Sequence, residues 1–390
     1  MATVPLSQIA PTPSEFQSAE RLRLHFLDGI RGIAAFLVVI HHMWLHCFIN
    51  ADASLSPLWF QVMSIFKYGH YLVAVFIVLS GFCLMMPVAM SRGVMKKGFI
   101  SYIGRRARRI LPPYYASLVF AVALLALIPA IRADNGLISS TYHRSDMVGS
   151  LIAHFLLVHN LIPNWAHRID GPMWSVATEW QIYFLFPLIL LPIGRRWGSI
   201  APIIAGLAIG FCTAGTFLKE AGFWYVGLFA IGMAACSACF PDKASPSVTQ
   251  WSWPRMWGLF AILTLAAFVI AHLYHILILP SFDVVAGTLM AYFLIYCTKS
   301  ATLSGGNGSV LRFLSSKPIV GLGNFSYSLY LIHFPLLLVG IALVSPYHFR
   351  SHINFLLYLL VGCPAILGIS YLFHLIFERP FMNIPRVKAH

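Results

Sequence analysis

Phe26-Leu-Asp-Gly-Ile-Arg-Gly-Ile-Ala-Ala-Phe-Leu-Val-Val-Ile-His-His42 is apolar apart from Asp28, Arg31 and its two closing histidines. Continued through Ile49, it is long enough to cross a bilayer. Runs of this kind recur along the whole chain of 390 residues, which is 59% hydrophobic and only 10% charged. Soluble domains carry roughly 25% charged residues, so this chain is built for lipid rather than water. The pattern predicts an all-α fold, a polytopic transmembrane helix bundle of about ten spanning helices. The spans fall at 29–49, 70–90, 113–131, 175–193, 199–217, 222–240, 255–274, 279–297, 321–344 and 354–377. The run from Ser150 to Ile162 is about half a span and carries His154, His159 and Asn160, which suits an interfacial or re-entrant helix.

The formal net charge of +14 does not point to nucleic acid, because the basic residues sit in short clusters between apolar runs. With the N-terminus placed in the cytoplasm, only Lys67, Arg132, Arg144, Arg168, Lys219 and Arg350 of the 26 Lys and Arg fall outside. That bias predicts both termini cytoplasmic. Residues 1–25, with Pro5, Pro11 and Pro13 and no apolar core, read as a disordered cytoplasmic tail. Residues 26–381 read as one transmembrane domain and 382–390 as a second cytoplasmic tail. The longest outer segment, Arg132 to Trp174, is rich in His and Asp, and long loops often carry function. Cys236 and Cys239 form a CxxC, but no second pair completes a zinc site. The seven cysteines therefore read as small apolar packers.

Ionisable groups inside spanning segments are costly and are functional candidates for that reason. In the opening stretch Arg31 and His42 stand eleven residues apart. At about 100° per residue they return to within about 20° of one face, roughly 16 Å apart along the axis. Arg31 is thus expected near the cytoplasmic edge and His42 past mid-bilayer, where an imidazole can take a proton near neutral pH. His41 faces another direction and reads as a packed histidine. In Tyr102-Ile-Gly-Arg-Arg-Ala-Arg-Arg-Ile-Leu-Pro-Pro-Tyr-Tyr115, Arg106 and Arg109 lie one turn apart on one face. Such a pair suits phosphate, or simple positive-inside anchoring. Pro112 and Pro113 fit the start of the third span.

In Asp170-Gly-Pro-Met-Trp-Ser-Val-Ala-Thr-Glu-Trp-Gln-Ile-Tyr183, the side chains of Ser175, Glu179 and Tyr183 line one helix face. Glu179 is expected near the depth of His42. The plainer alternative is a first-turn carboxylate complementing the helix dipole, with Ser175 as N-cap. In Gly323-Asn-Phe-Ser-Tyr-Ser-Leu-Tyr-Leu-Ile-His-Phe-Pro335, Ser326, Tyr330 and His333 share a face, either as site residues or as interhelical hydrogen bonders.

Taken together and in order, these stretches resemble the acyltransferase-3 family of membrane acyltransferases. The likeness extends from about Phe26 to Phe381. It also takes in Phe76-Ile-Val-Leu-Ser-Gly-Phe82 and the closing Phe377-Glu-Arg-Pro-Phe381. Departures are few: Val176 replaces a usual Leu, Asp170 stands where Asn is common, and spacing must choose His42 over His41. The resemblance implies transfer of an acyl group, often acetyl, from cytosolic acyl-CoA. The acceptor would be a hydroxyl of an extracytoplasmic or lipid-linked carbohydrate, with no permanently bound cofactor. It implies His42 as general base or transient acyl carrier, Glu179 orienting His42 or the acceptor, and Arg31, Arg106 and Arg109 toward the CoA. Asp28, Trp174, Ser175, Tyr183, Ser326, Tyr330 and His333 become supporting or substrate residues. A bacterial inner membrane is the default location, and an extracytoplasmic partner protein could take any later transfer step. A transporter or flippase is the main rival, but no inverted repeat is visible in the sequence. A non-catalytic scaffold would have mostly short outer loops, which leave little surface for partners.

Overall fold

The computed structural model describes residues 24–48, 60, 63–91, 93–95, 98–132, 146–240, 262, 279–303 and 308–382. These segments form a helical bundle, with no strand among the described residues. Eight helices are long and apolar enough to cross a membrane: His25–Phe48, Ser64–Ala89, Gly98–Leu127, Met173–Trp197, Lys219–Cys239, Ser281–Thr302, Ser326–Tyr347 and Ser351–Phe381. The expected span at 199–217 is corrected to the shorter helix Ala201–Ala214. Its 14 residues rise about 21 Å, less than the roughly 30 Å of a hydrocarbon core. The span expected at 255–274 lies outside the described residues, as do the tail positions 1–23 and 383–390.

Two further boundaries differ from expectation. The third span begins at Gly98, so Pro112 and Pro113 lie inside it rather than at its start, and the arginine cluster is helical throughout. The half-span is the helix Met147–Phe155 followed by a short 3-10 turn, His159–Leu161. Proline also marks where helices widen. Pi-helical turns occur at Phe186–Leu190, which contains Pro187, and at Tyr358–Gly362, just before Pro364. A proline lacks the N–H that a regular turn would use and crowds the carbonyl four residues back.

His25–Phe48 is the central helix. It packs against Ser64–Tyr71, Lys317–Asn324 and Ser326–Val344, with Val39 and Met43 fully buried. Glycines let these backbones touch. A Cβ on Gly323 would strike the carbonyl of Asp28. The same arrangement joins the second span to Lys219–Cys239, where a Cβ on Gly81 would meet the Phe229 carbonyl and one on Gly232 the Val78 carbonyl. In lipid, where apolar side chains gain nothing by leaving their solvent, close contact through small residues supplies much of the packing energy. Leu127, Ile204 and Leu360 lie on the outer surface, more than half exposed, as lipid-facing side chains should.

Candidate active site

The central helix sends its two ionisable ends into two different cavities. One cavity, of about 120 Å³, is lined by Arg31, Arg106 and Arg109, with Glu179, Tyr183 and Glu378. Arg31 Nη1 donates to Asp28 Oδ1 at 3.2 Å and its Nη2 to Cys83 Sγ at 3.1 Å. Arg106 Nε is buried without a protein hydrogen-bond partner among the described residues. The Tyr183 hydroxyl donates to Glu179 Oε1 at 2.5 Å and lies 3.2 Å from Ser80 Oγ. Glu378 is held by Ser328, whose N and Oγ donate to Oε2 at 3.2 and 2.6 Å, and by His374 Nδ1 at 2.8 Å.

The other cavity, of about 230 Å³, is lined by His41, His42, His70, His167, Trp174 and Phe334, among others. His42 Nδ1 lies 3.0 Å from the Val38 carbonyl and 3.1 Å from His333 Nε2. His333 Nδ1 lies 2.7 Å from the Tyr330 carbonyl. A carbonyl can only accept, so both Nδ1 atoms carry protons. His333 Nε2 is then a lone pair able to accept from His42 Nδ1–H, which leaves His42 Nε2 unprotonated. This arrangement fixes one tautomer of His42, with its basic nitrogen as the free one. His41, by contrast, is nearly buried and tied to the Phe66 carbonyl at 2.7 Å, in keeping with a packed role.

Val73 and Tyr330 line both cavities. At this junction the Tyr330 hydroxyl lies 2.6 Å from Ser175 Oγ, and both hydroxyls reach the Pro172 carbonyl. The helix that starts at Met173 explains how one stretch serves both sides. Trp174 lines the histidine cavity, Ser175 sits at the junction, and Glu179 and Tyr183 follow at one-turn steps of about 6 Å into the arginine cavity. Two expectations are thereby corrected. Ser175 is not the N-cap, a position taken by Pro172. Glu179 pairs with Tyr183 in the arginine cavity, while His42 is oriented by Val38 and His333. Ser326 Oγ donates to its own chain at the Gly323 carbonyl, 2.8 Å away, on the arginine cavity's wall.

A family model described as an acyltransferase domain matches residues 24–375. The chain belongs to the acyltransferase-3 family. Acyltransferase MdmB of Streptomyces mycarofaciens is 24% identical over 344 residues, covering 82% of this chain and 80% of that protein. No solved structure matches the chain. As a member of the acyltransferase-3 family it is a multi-pass membrane acyltransferase, and the family match takes in the lining of both cavities except Glu378.

Several residues at or beside the two cavities escaped the sequence reading. Asp283 is 1% exposed within a spanning helix and accepts from Trp224 Nε1 at 2.8 Å and the Tyr225 hydroxyl at 3.2 Å. Its Oδ2 is 4.0 Å from His70 Nε2. The rule that flags ionisable groups in apolar runs applies equally to Asp283 and Glu378. His70, at the start of the span expected at 70–90, falls under the same rule, whereas Cys83 carried no such signal. Outside the spans, His154 and His159 stack at 3.7 Å between centroids, and burial pushes them down to about 4 and about 2. Asp170 nearby in sequence is 1% exposed, with neither carboxylate oxygen hydrogen-bonded among the described residues. Burial drives its carboxyl well above the usual carboxylate range.

Proposed function

We propose that this protein transfers an acyl group, acetyl in the simplest case, from acyl-CoA to a hydroxyl acceptor, with the two substrates entering from opposite sides of the membrane. The observation that carries the reading is the meeting of an arginine-lined cavity and a histidine-lined cavity at Val73 and Tyr330. The arginine end faces the cytoplasm in this reading, as the basic bias of the sequence favours. Arg106 and Arg109 bind CoA phosphates there, since guanidinium makes bidentate charge-assisted bonds. The cavity beyond them is small, about 120 Å³, which suits the pantetheine arm rather than the nucleotide.

The thioester carbonyl then lies at the junction, where the Ser175 and Tyr330 hydroxyls can donate to the oxygen as it gains charge. On the other side His42 Nε2 takes the proton of the acceptor hydroxyl. The acceptor oxygen bonds to the carbonyl carbon, the carbon–sulfur bond breaks, and the leaving thiolate receives the proton from His42. The products are an ester and free CoA. A route through a transient acyl-His42 uses the same nitrogen as nucleophile. The test is to incubate membranes holding the protein with labelled acetyl-CoA and to identify what carries the label. Label in an ester product, absent from membranes lacking the protein, is the expected result; uptake of a solute with no acylated product would favour a transporter instead.

A further inference from the structure

The histidine cavity has an unusual mixture of walls for a site that must bind a hydroxylated molecule. Val38, Leu45, Val73, Ile169, Phe334 and Leu338 give it apolar sides. Trp174 closes one side, held between His70, stacked at 6.0 Å and 22°, and His167, edge-on at 6.2 Å and 76°. Its polar side-chain lining consists of four imidazoles, the Tyr330 hydroxyl and the Trp174 indole. None of the described lining residues is a lysine, arginine, carboxylate or amide.

The imidazoles are tied in one sense. Nδ1 of His41, His42 and His167 faces the carbonyls of Phe66, Val38 and Gly171 at 2.7, 3.0 and 3.2 Å. Each Nδ1 therefore carries a proton, and in the neutral imidazole each Nε2 is a lone pair. Lone pairs accept from a hydroxyl and give nothing to a phosphate or carboxylate. A polyol fits no better. Each sugar hydroxyl turned toward an aliphatic wall without a partner loses its hydrogen bonds to water uncompensated. An aromatic wall does suit the C–H face of a sugar, but sugar sites pair it with carboxylates or amides. Apolar surface, in contrast, gains about 25 cal/mol per Å² on entering. At about 230 Å³ the space takes a compact ring system, being smaller than the roughly 300–1,000 Å³ of sites that engulf a drug-sized ligand.

Resting on the acyl-transfer reading above, we propose that the acceptor is a neutral molecule with an apolar ring body, presenting its hydroxyl to His42, and neither a phosphorylated lipid-linked sugar nor an extended glycan. The test uses the full-length protein in detergent and three probes of similar size: 2-adamantanol, 1-adamantanecarboxylate and methyl glucoside. Binding is read by competition and thermal shift, first on the wild type, which needs no substitution. 2-Adamantanol is expected to bind at least about tenfold tighter than either rival, since 1.4 kcal/mol is a factor of ten. Leu45→Gln, at a half-buried lining position, is expected to weaken 2-adamantanol by a similar factor. The inference is overturned if the glucoside or the carboxylate binds as tightly, or if Leu45→Gln leaves all three unchanged. Acetyl-CoA is then added and esters are sought. A bound alcohol that is never acetylated would contradict the acyl-transfer reading and leave the cavity's preference standing. Acetylation of the glucoside alone would do the reverse.

Discussion

His333 Nε2 lies 3.1 Å from His42 Nδ1, although the two residues are 291 positions apart in the chain. The contact joins the first and the penultimate described spans at the point where the acyl group is proposed to move. His333 is 1% exposed and is itself held by the Tyr330 carbonyl. It thus acts on His42 rather than on substrate, as a positioning residue. His333→Gln can still accept from His42 Nδ1–H, whereas His333→Leu cannot. We expect Leu to lower kcat by about 10²-fold or more with little change in the KM for acyl-CoA, and Gln to restore a substantial part. General-base positioning is worth roughly 10²–10⁴ in rate. Steady-state kinetics on the purified variants checks this, and equal losses in Leu and Gln would show that His333 only packs.

Arg106 and Arg109 should matter for the donor alone. A hydrogen bond to a charged group contributes about 1.5–3 kcal/mol, so either Arg→Ala change should raise the KM for acyl-CoA roughly ten- to hundredfold. The KM for the acceptor should stay near that of the wild type. Raising the salt concentration should weaken donor binding in the wild type more than in either variant, because screening acts on the same charges.

The close helix contact at Gly232 predicts a stability effect separable from catalysis. Gly232→Leu forces the helix away from the Val78 carbonyl and should destabilise by about 1–3 kcal/mol or more, as overpacking does. Gly321→Leu, where a Cβ meets nothing within 4 Å, should be tolerated. Thermal unfolding of both variants in one detergent makes the comparison.

Asp170 gives a pH dependence whose sign can be worked out. Its carboxyl is raised in the fold by burial, while the unfolded chain ionises near the usual value of about 4. Below that value both states are neutral and nothing is lost. Above it the unfolded state gains by ionising and the folded state does not, so stability falls as pH rises toward the folded value. Asp170→Asn should therefore unfold at nearly the wild-type temperature at pH 4. It should be progressively more stable than the wild type as pH increases to 8.

The bundle was legible because lipid imposes long apolar runs, and eight of those expected are present among the described residues. Ala201–Ala214 was misjudged because hydropathy reports composition and not where a helix stops, here at Gly215. Arg106 and Arg109 were legible as a pair because spacing on a helix fixes the shared face; Arg31 stands on another helix and joined them only through the family resemblance, and all three reach the same cavity. His42 was legible by the same spacing. Its partner was not, since a contact between the first span and Ser326–Val344 depends on helix packing that periodicity does not encode. Glu179 was expected near the depth of His42 but lines the other cavity, for a related reason. Depth counted from a helix start says little when the start itself, Met173, lies two residues earlier than supposed. Asp283 was overlooked although a buried carboxylate in a spanning run carries its own signal.

The central claim is that donor binding and proton removal are separate duties of two cavities that meet at Tyr330. The most direct measurement compares wild type and His42→Ala for two quantities: the Kd for acetyl-CoA, and the rate of CoA release with acceptor present. An unchanged Kd and a loss of acceptor-dependent release to background are expected. Release at the wild-type rate from folded His42→Ala protein would contradict the claim.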